Sequence, residues 1–198
     1  MPGGEGRIRR YQVRADKDGG ATTGSATWTT QAATWNAAWL FGEEVIEGAD
    51  GGRVEVTTTD KYVCEEEGAY LYSRVVETRE EYASGDTFES LYTWTWADPQ
   101  LAIPAALSPD SHHSDDWIAV VEGSTSLGGE FYTELIGSVR IDAGPQAEVT
   151  VPAGTWSGIP LEYDLDLGGP HQQESSTVEA SLGRIVDATF ERVSVEEP

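Results

Sequence analysis

Asp110, His112, His113, Asp115 and Asp116 place two imidazoles and three carboxylates within seven residues, side chains of the kind that hold zinc or another first-row divalent ion. A metal bound there would activate water, and a metal-dependent hydrolase centred on Asp110–Asp116 is the enzymatic reading of this chain. Catalytic zinc usually draws its ligands from separated elements, however, and adjacent histidines in one compact loop are hard to aim at a single ion, so a solvated acidic loop explains the same residues. Asp164 and Asp166 form a D-x-D with Gly169 at the sixth position, a partial imitation of a calcium loop. It fails where Gly168 takes a liganding position and Ser175 stands in place of the bidentate glutamate. Nucleophilic chemistry has less to offer. The chain has no G-x-S-x-G, and spacing assigns no nucleophile to His171. Cys64 shares a face with Tyr62 and is followed by Glu65, Glu66 and Glu67, a setting that disfavours a thiolate, so it reads as a structural thiol. With no P-loop and no dinucleotide fingerprint, the sequence predicts no cofactor and a protein that is not an enzyme.

The elements that would position these groups are strands. From Arg53 the even positions run Val54, Val56, Thr58, Asp60, Tyr62, Cys64 against a more polar odd series, which is the period of a half-buried strand. Glu65 to Gly68 interrupts it and Ala69–Glu77 resumes it, predicting a hairpin. Phe88, Ser90, Tyr92, Trp94 and Trp96 share one face of the next run. Phe131 to Asp142 and Ile159 to Leu167 alternate in the same way, with Ile159, Leu161, Tyr163, Leu165 and Leu167 on one side of the second. Further strands are predicted at Ile8–Arg14, Ala26–Gln31, Trp35–Ile46, Trp117–Glu122, Ala147–Val151, Ser175–Ser181 and Ile185–Val195. About a dozen short strands between Gly- and Pro-marked turns predict an all-β, antiparallel domain spanning residues 1–198, with Val54, Val56, Tyr62, Leu135, Val139, Leu161, Tyr163 and Leu165 facing its interior. Residues 1–6 are expected to be disordered and 107–116 to be a crossing loop. Pro99–Ser108 is the one stretch that permits a helix, and Pro104 limits it to a turn or two.

Thirty-five Asp and Glu against 12 Lys and Arg give a formal charge of −23, a field that repels nucleic acids and anionic membranes. No stretch reaches the roughly 18 apolar residues of a membrane span, and Met1–Arg10 has no hydrophobic segment of the signal-peptide kind. A single cysteine excludes an intramolecular disulfide. Seven Trp, eight Tyr and four Phe supply ample material for a packed interior.

Val149–Trp156 (VTVPAGTW) resembles the V-x-V-P-A-G-T-[FW] signature of the TapB-like family of bacterial β-rich extracytoplasmic proteins. Trp39–Gly48, Tyr62–Tyr72, Ile103–Trp117 and Leu182–Arg192 resemble further segments in the family's order. The resemblance implies a periplasmic, cell-surface or secreted protein, related to lipoproteins. It also implies a single, strongly curved antiparallel sheet, a half-barrel or open barrel like that of periplasmic lipoprotein carriers. On such a concave face Trp35, Trp39, Phe88, Tyr92, Trp94 and Trp96 offer more aromatic surface than one sheet layer needs. The function expected is a non-enzymatic binding or envelope-structural module, whose partner is an apolar or amphipathic small molecule or another envelope protein.

Overall fold

The computed structural model describes residues 6–17, 20–33, 37–48, 51–105, 107–166, 171–179, 183–187 and 190–196, and they are strand and connecting turn throughout, without a helix. No helix among them can therefore cross a membrane. The strands are β1 (Ile8–Lys17), β2 (Gly20–Ala33), β3 (Ala37–Glu47), β4 (Arg53–Cys64), β5 (Gly68–Glu81), β6 (Thr87–Pro104), β7 (His112–Thr125), β8 (Glu130–Ala143), β9 (Ala147–Val151), β10 (Gly154–Asp166), β11 (His171–Glu179), β12 (Gly183–Asp187) and β13 (Phe190–Glu196). They form one antiparallel sheet in the order β11-β12-β13-β1-β2-β3-β4-β5-β6-β7-β8-β10-β9. The all-β antiparallel fold predicted from the alternation is the one observed.

β10 pairs with β8 along one edge and with β11 along the other. The hydrogen-bonded ladder thereby leads from β1 through β8 and β10 to β11, β12, β13 and back to β1. A sheet with such pairings must curve. Its thinnest join is β12 to β13, where Val186↔Glu191 is the one register pair among the described residues. The sequence reads Ile185–Val195 as one strand; it is split between these two.

Period-two alternation turns one face of each strand inward, and the buried residues lie there. Trp117, Ala119, Val139, Ile141 and Leu161 are at most 1 % exposed, and Leu71, Trp96, Leu101, Ala143 and Val178 complete this main core. Tyr62, Leu135, Tyr163 and Leu165 pack against it as predicted. Val54 and Val56 are half-buried. A second, smaller cluster joins Tyr11 and Ala26 to Trp28 and Ile46.

Three aromatic rings lie on the glycines directly opposite them: Trp28 on Gly42, Phe131 on Gly123 and Trp117 on Gly137. A Cβ at Gly137 would collide with the Trp117 ring and with the Asp166 carbonyl oxygen. Glycine thus provides the room in which a large ring lies against the neighbouring strand.

The Pro99–Ser108 segment differs from expectation. β6 continues through it to Pro104, because a register shift between Trp96 and Asp98 reverses the alternation and brings Leu101 into the core behind Trp96. Asp115 Oδ2 accepts the Leu101 backbone N–H at 2.9 Å and fixes the bend. The crossing loop is also shorter than 107–116. His112–Asp116 already belong to β7, paired in unbroken register with Asp142–Ser138 of β8. Of the terminal residues 1–6, Gly6 is tied to the sheet by its N–H to the Thr30 carbonyl at 2.8 Å; residues 1–5 lie outside the described residues.

Val151–Thr155 forms the β9–β10 hairpin, with Pro152 and Ala153 as the turn and Gly154 at φ +132°. Side chains rarely adopt that φ, so Gly154→Ala should cost about 1 kcal/mol or more in chemical denaturation. An unchanged midpoint would show that the turn relaxes without strain.

Candidate ligand-binding face

β6 carries Phe88, Ser90, Tyr92, Trp94 and Trp96 on its inward face, so the residues recognised as one aromatic stripe do share one side of the sheet. Along the stripe Phe88, Tyr92 and Trp94 are half-buried, whereas Ser90 and Trp96 are buried, Trp96 at 4 % exposed. The Trp94 and Trp96 rings stack with centroids 5.9 Å apart, and Tyr92 meets Phe131 of β8 at 5.3 Å. Phe131 keeps 38 % of its surface open. Beyond Trp96 lies Trp117 of β7, in the same core cluster. The indole N–H groups of Trp96 and Trp117 are both buried and find no acceptor among the described residues.

Trp39 stands elsewhere. It is paired with Lys61, 48 % exposed, and faces away from the core, with the Lys61 ammonium 5.7 Å from its ring centroid. Trp35 lies outside the described residues. The stripe therefore comprises four of the six aromatics singled out from the sequence, joined by Phe131 and Trp117. Both newcomers belong to alternations visible in the chain, yet only strand pairing brings them to β6.

Beside the stripe, the inward face carries an ion pair. Arg74 of β5, directly opposite Trp94, donates from Nε and Nη2 to the two Asp60 carboxylate oxygens at 2.7 and 2.8 Å, and Tyr62 Oη donates to Asp60 at 3.1 Å. Asp60 is 1 % exposed. Arg74 keeps 40 % of its side chain accessible, whereas Asp60 is enclosed. Burial works against its charge, but the hydrogen bonds and field of Asp60 outweigh that penalty, with smaller contributions from Tyr62 and from Glu174 of β11, and its pKa is raised. The sequence carried a signal for this pair, since Asp60 interrupts the apolar even face of β4.

The histidine cluster is dispersed by its own strand. His112 and His113 are neighbours on β7 and point to opposite faces. His112 Nδ1 lies 2.6 Å from Asp142 Oδ1 on the outer face, where Arg140 also donates to Asp142, and these two partners hold the Asp142 carboxyl below its usual range. His113 turns inward and meets Ser111 Oγ at 3.3 Å. Asp115 is half-buried, and desolvation, with the nearby Asp98 and Asp116, raises its pKa against the opposing Leu101 bond. Asp110 sits in the preceding loop at φ +62°. No three His, Cys, Asp or Glu side chains gather into a metal-holding group among the described residues. Asp164 and Asp166 lie on the face of β10 opposite that of Leu161, and Gly169 lies outside the described residues. Cys64 is half-buried and free.

No family model, no curated protein and no solved structure matches the chain.

Proposed function

We propose that this protein is a non-enzymatic binding module that takes up an apolar or amphipathic molecule along the inward face of β6. The observation that carries the reading is one inward-facing aromatic stripe on which Phe88, Tyr92 and Trp94 stay half-buried beside the enclosed Trp96. A stripe of this kind offers a ligand apolar contact at its open end and a packed floor at the other. The accessible Arg74 side chain within the strands supports an interior with room beside the stripe. The charge of −23 argues against nucleic acid as the partner. The resemblance of Val149–Trp156 supports a role outside the cytoplasm, where a segment of another envelope protein is the alternative occupant.

Titration with the neutral dye N-phenyl-1-naphthylamine tests the proposal. Dye emission should rise, and tryptophan emission should fall or shift, at micromolar concentration. Trp94→Ala should weaken the response at least tenfold in a protein that keeps its far-ultraviolet β spectrum. Absence of any response to the dye and to an apolar peptide would overturn the binding role and leave a structural module.

A further inference from the structure

Residues Glu130–Ile136 of β8 form a free strand edge. One side is paired with β7 in unbroken register, from Ser124↔Glu130 to Ile118↔Ile136. On the other side β10 goes no farther than Ser138↔Asp166, because Asp166 pairs with His171 and the chain returns as β11. β8 has no third neighbour among the described residues. Every second residue of this stretch therefore aims its backbone N–H and C=O away from β7, where another strand can pair with them. Edge strands are commonly protected by lysine, proline or a bulge, and Glu130–Ile136 carries none of these.

The side chains around this edge are apolar for a surface. Six of the nine large hydrophobic residues exposed among the described residues, Leu91, Ile118, Leu127, Phe131, Tyr132 and Ile136, lie on the β7–β8 hairpin or beside it on β6. Exposed apolar residues gathered in this way mark an interaction surface, whereas singly scattered ones do not. Tyr132 and Ile136 stand on the outer face at 66 % and 64 % exposed, and Phe131 and Leu135 on the inner. The charges select the chemistry of what pairs here. Glu130 and Glu134 share the outer face with Tyr132, and Glu122 lies opposite Tyr132 on β7; all three are exposed, and none pairs with a cation among the described residues. A second copy would bring the same glutamates and another charge of −23 against them. A strand with basic residues neutralises them instead.

We propose that Glu130–Ile136 accepts an added strand from a partner protein, a segment that alternates apolar residues with lysine or arginine at the spacing of Glu130 and Glu134. Basic side chains on its outer face pair with these two glutamates, and its inner face continues the apolar surface of Phe131 and Leu135. Backbone pairing supplies the affinity, and the charges supply the selection. The site is independent of ligand uptake along β6.

The capped, fluorescein-labelled peptide Lys-Val-Thr-Val-Lys-Val-Thr-Val-Lys tests this by fluorescence anisotropy. It should bind at least about tenfold more tightly than Glu-Val-Thr-Val-Glu-Val-Thr-Val-Glu. Glu130→Lys combined with Glu134→Lys should reverse that preference; both positions are exposed, so the core is untouched. Two further lysine peptides are N-methylated at alternate residues, one at its valines and the other at its lysines and threonines. One should bind as the parent does and the other should lose binding, because only every second N–H faces β8. In the unaltered protein the peptide should slow amide exchange at alternate residues of Glu130–Ile136, a readout that needs no variant. No binding of the lysine peptide would overturn the proposal, and so would equal binding of the glutamate peptide. Equal binding of both N-methylated peptides, or no change in amide exchange, would overturn strand addition. A concentration-dependent dimer protected at Glu130–Ile136 would show that a second copy takes the edge and would overturn the partner assignment.

Discussion

Leu161→Asp is expected to abolish the fold. Leu161 is completely buried, opposite Ala143 of β8 on one side and Ser176 of β11 on the other, within the main core. Losing the leucine forfeits roughly 1.5–3 kcal/mol of burial, and a carboxylate in its place must either stay charged in an apolar setting or take up a proton at further cost. Together these losses reach about 5 kcal/mol or more, comparable with the whole stability of a domain. Far-ultraviolet circular dichroism should show loss of the strand signal, and thermal melting should lose its cooperative step. Its neighbour Glu162 is exposed on the other face, and Glu162→Ala should stay within about 0.5 kcal/mol of the parent. A folded Leu161→Asp protein with the parent's melting curve would mean that the β8–β10–β11 region contributes little to the core.

Asp60→Ala should produce the next largest loss. It strips Arg74 of both carboxylate bonds and leaves a cation bordered by Trp94 with only the weaker field of Glu174 to offset its charge. Breaking a buried pair from one side costs about 3–5 kcal/mol; because two-fifths of Arg74 is accessible, the lower end, about 3 kcal/mol, is expected. Urea denaturation measures it as a lowered midpoint. Replacing both partners together, Asp60→Leu with Arg74→Met, should recover much of the loss, since no charge is then left alone. If Asp60→Ala alone shifted stability by less than about 0.5 kcal/mol, water in the interior would already solvate Arg74 and the pair would be structurally idle.

Much of this architecture is legible in the chain because side-chain direction in a strand is a local property. The alternation through Ile159–Leu165 marks Leu161 as interior without reference to any other strand, and the structure buries it completely. The β4–β5 hairpin and the Val151–Thr155 turn announce themselves in the same way, through a break in period or a Pro-Ala-Gly run. His112–Asp116 were legible only as a polar loop, because an all-polar run has no apolar alternation to betray a strand; their pairing with β8 makes them one. The split of Ile185–Val195 and the continuation of β6 past Pro99 were hidden for related reasons, since a bulge is written in the register with the neighbour.

The sequence by itself determined that this is an all-β antiparallel domain, that Phe88, Tyr92, Trp94 and Trp96 share a face, and that Asp60 shares one with Val54, Val56 and Tyr62. Only the tertiary structure decided that Trp39 faces away from that stripe, that Phe131 and Trp117 join it, that Arg74 meets Asp60, and that β10 meets β11 to bring the sheet round. The physical reason is range. The period of two follows from the backbone geometry of adjacent residues, whereas partner, register and bulge are set by hydrogen bonds and ring-on-glycine contacts between residues far apart in the chain.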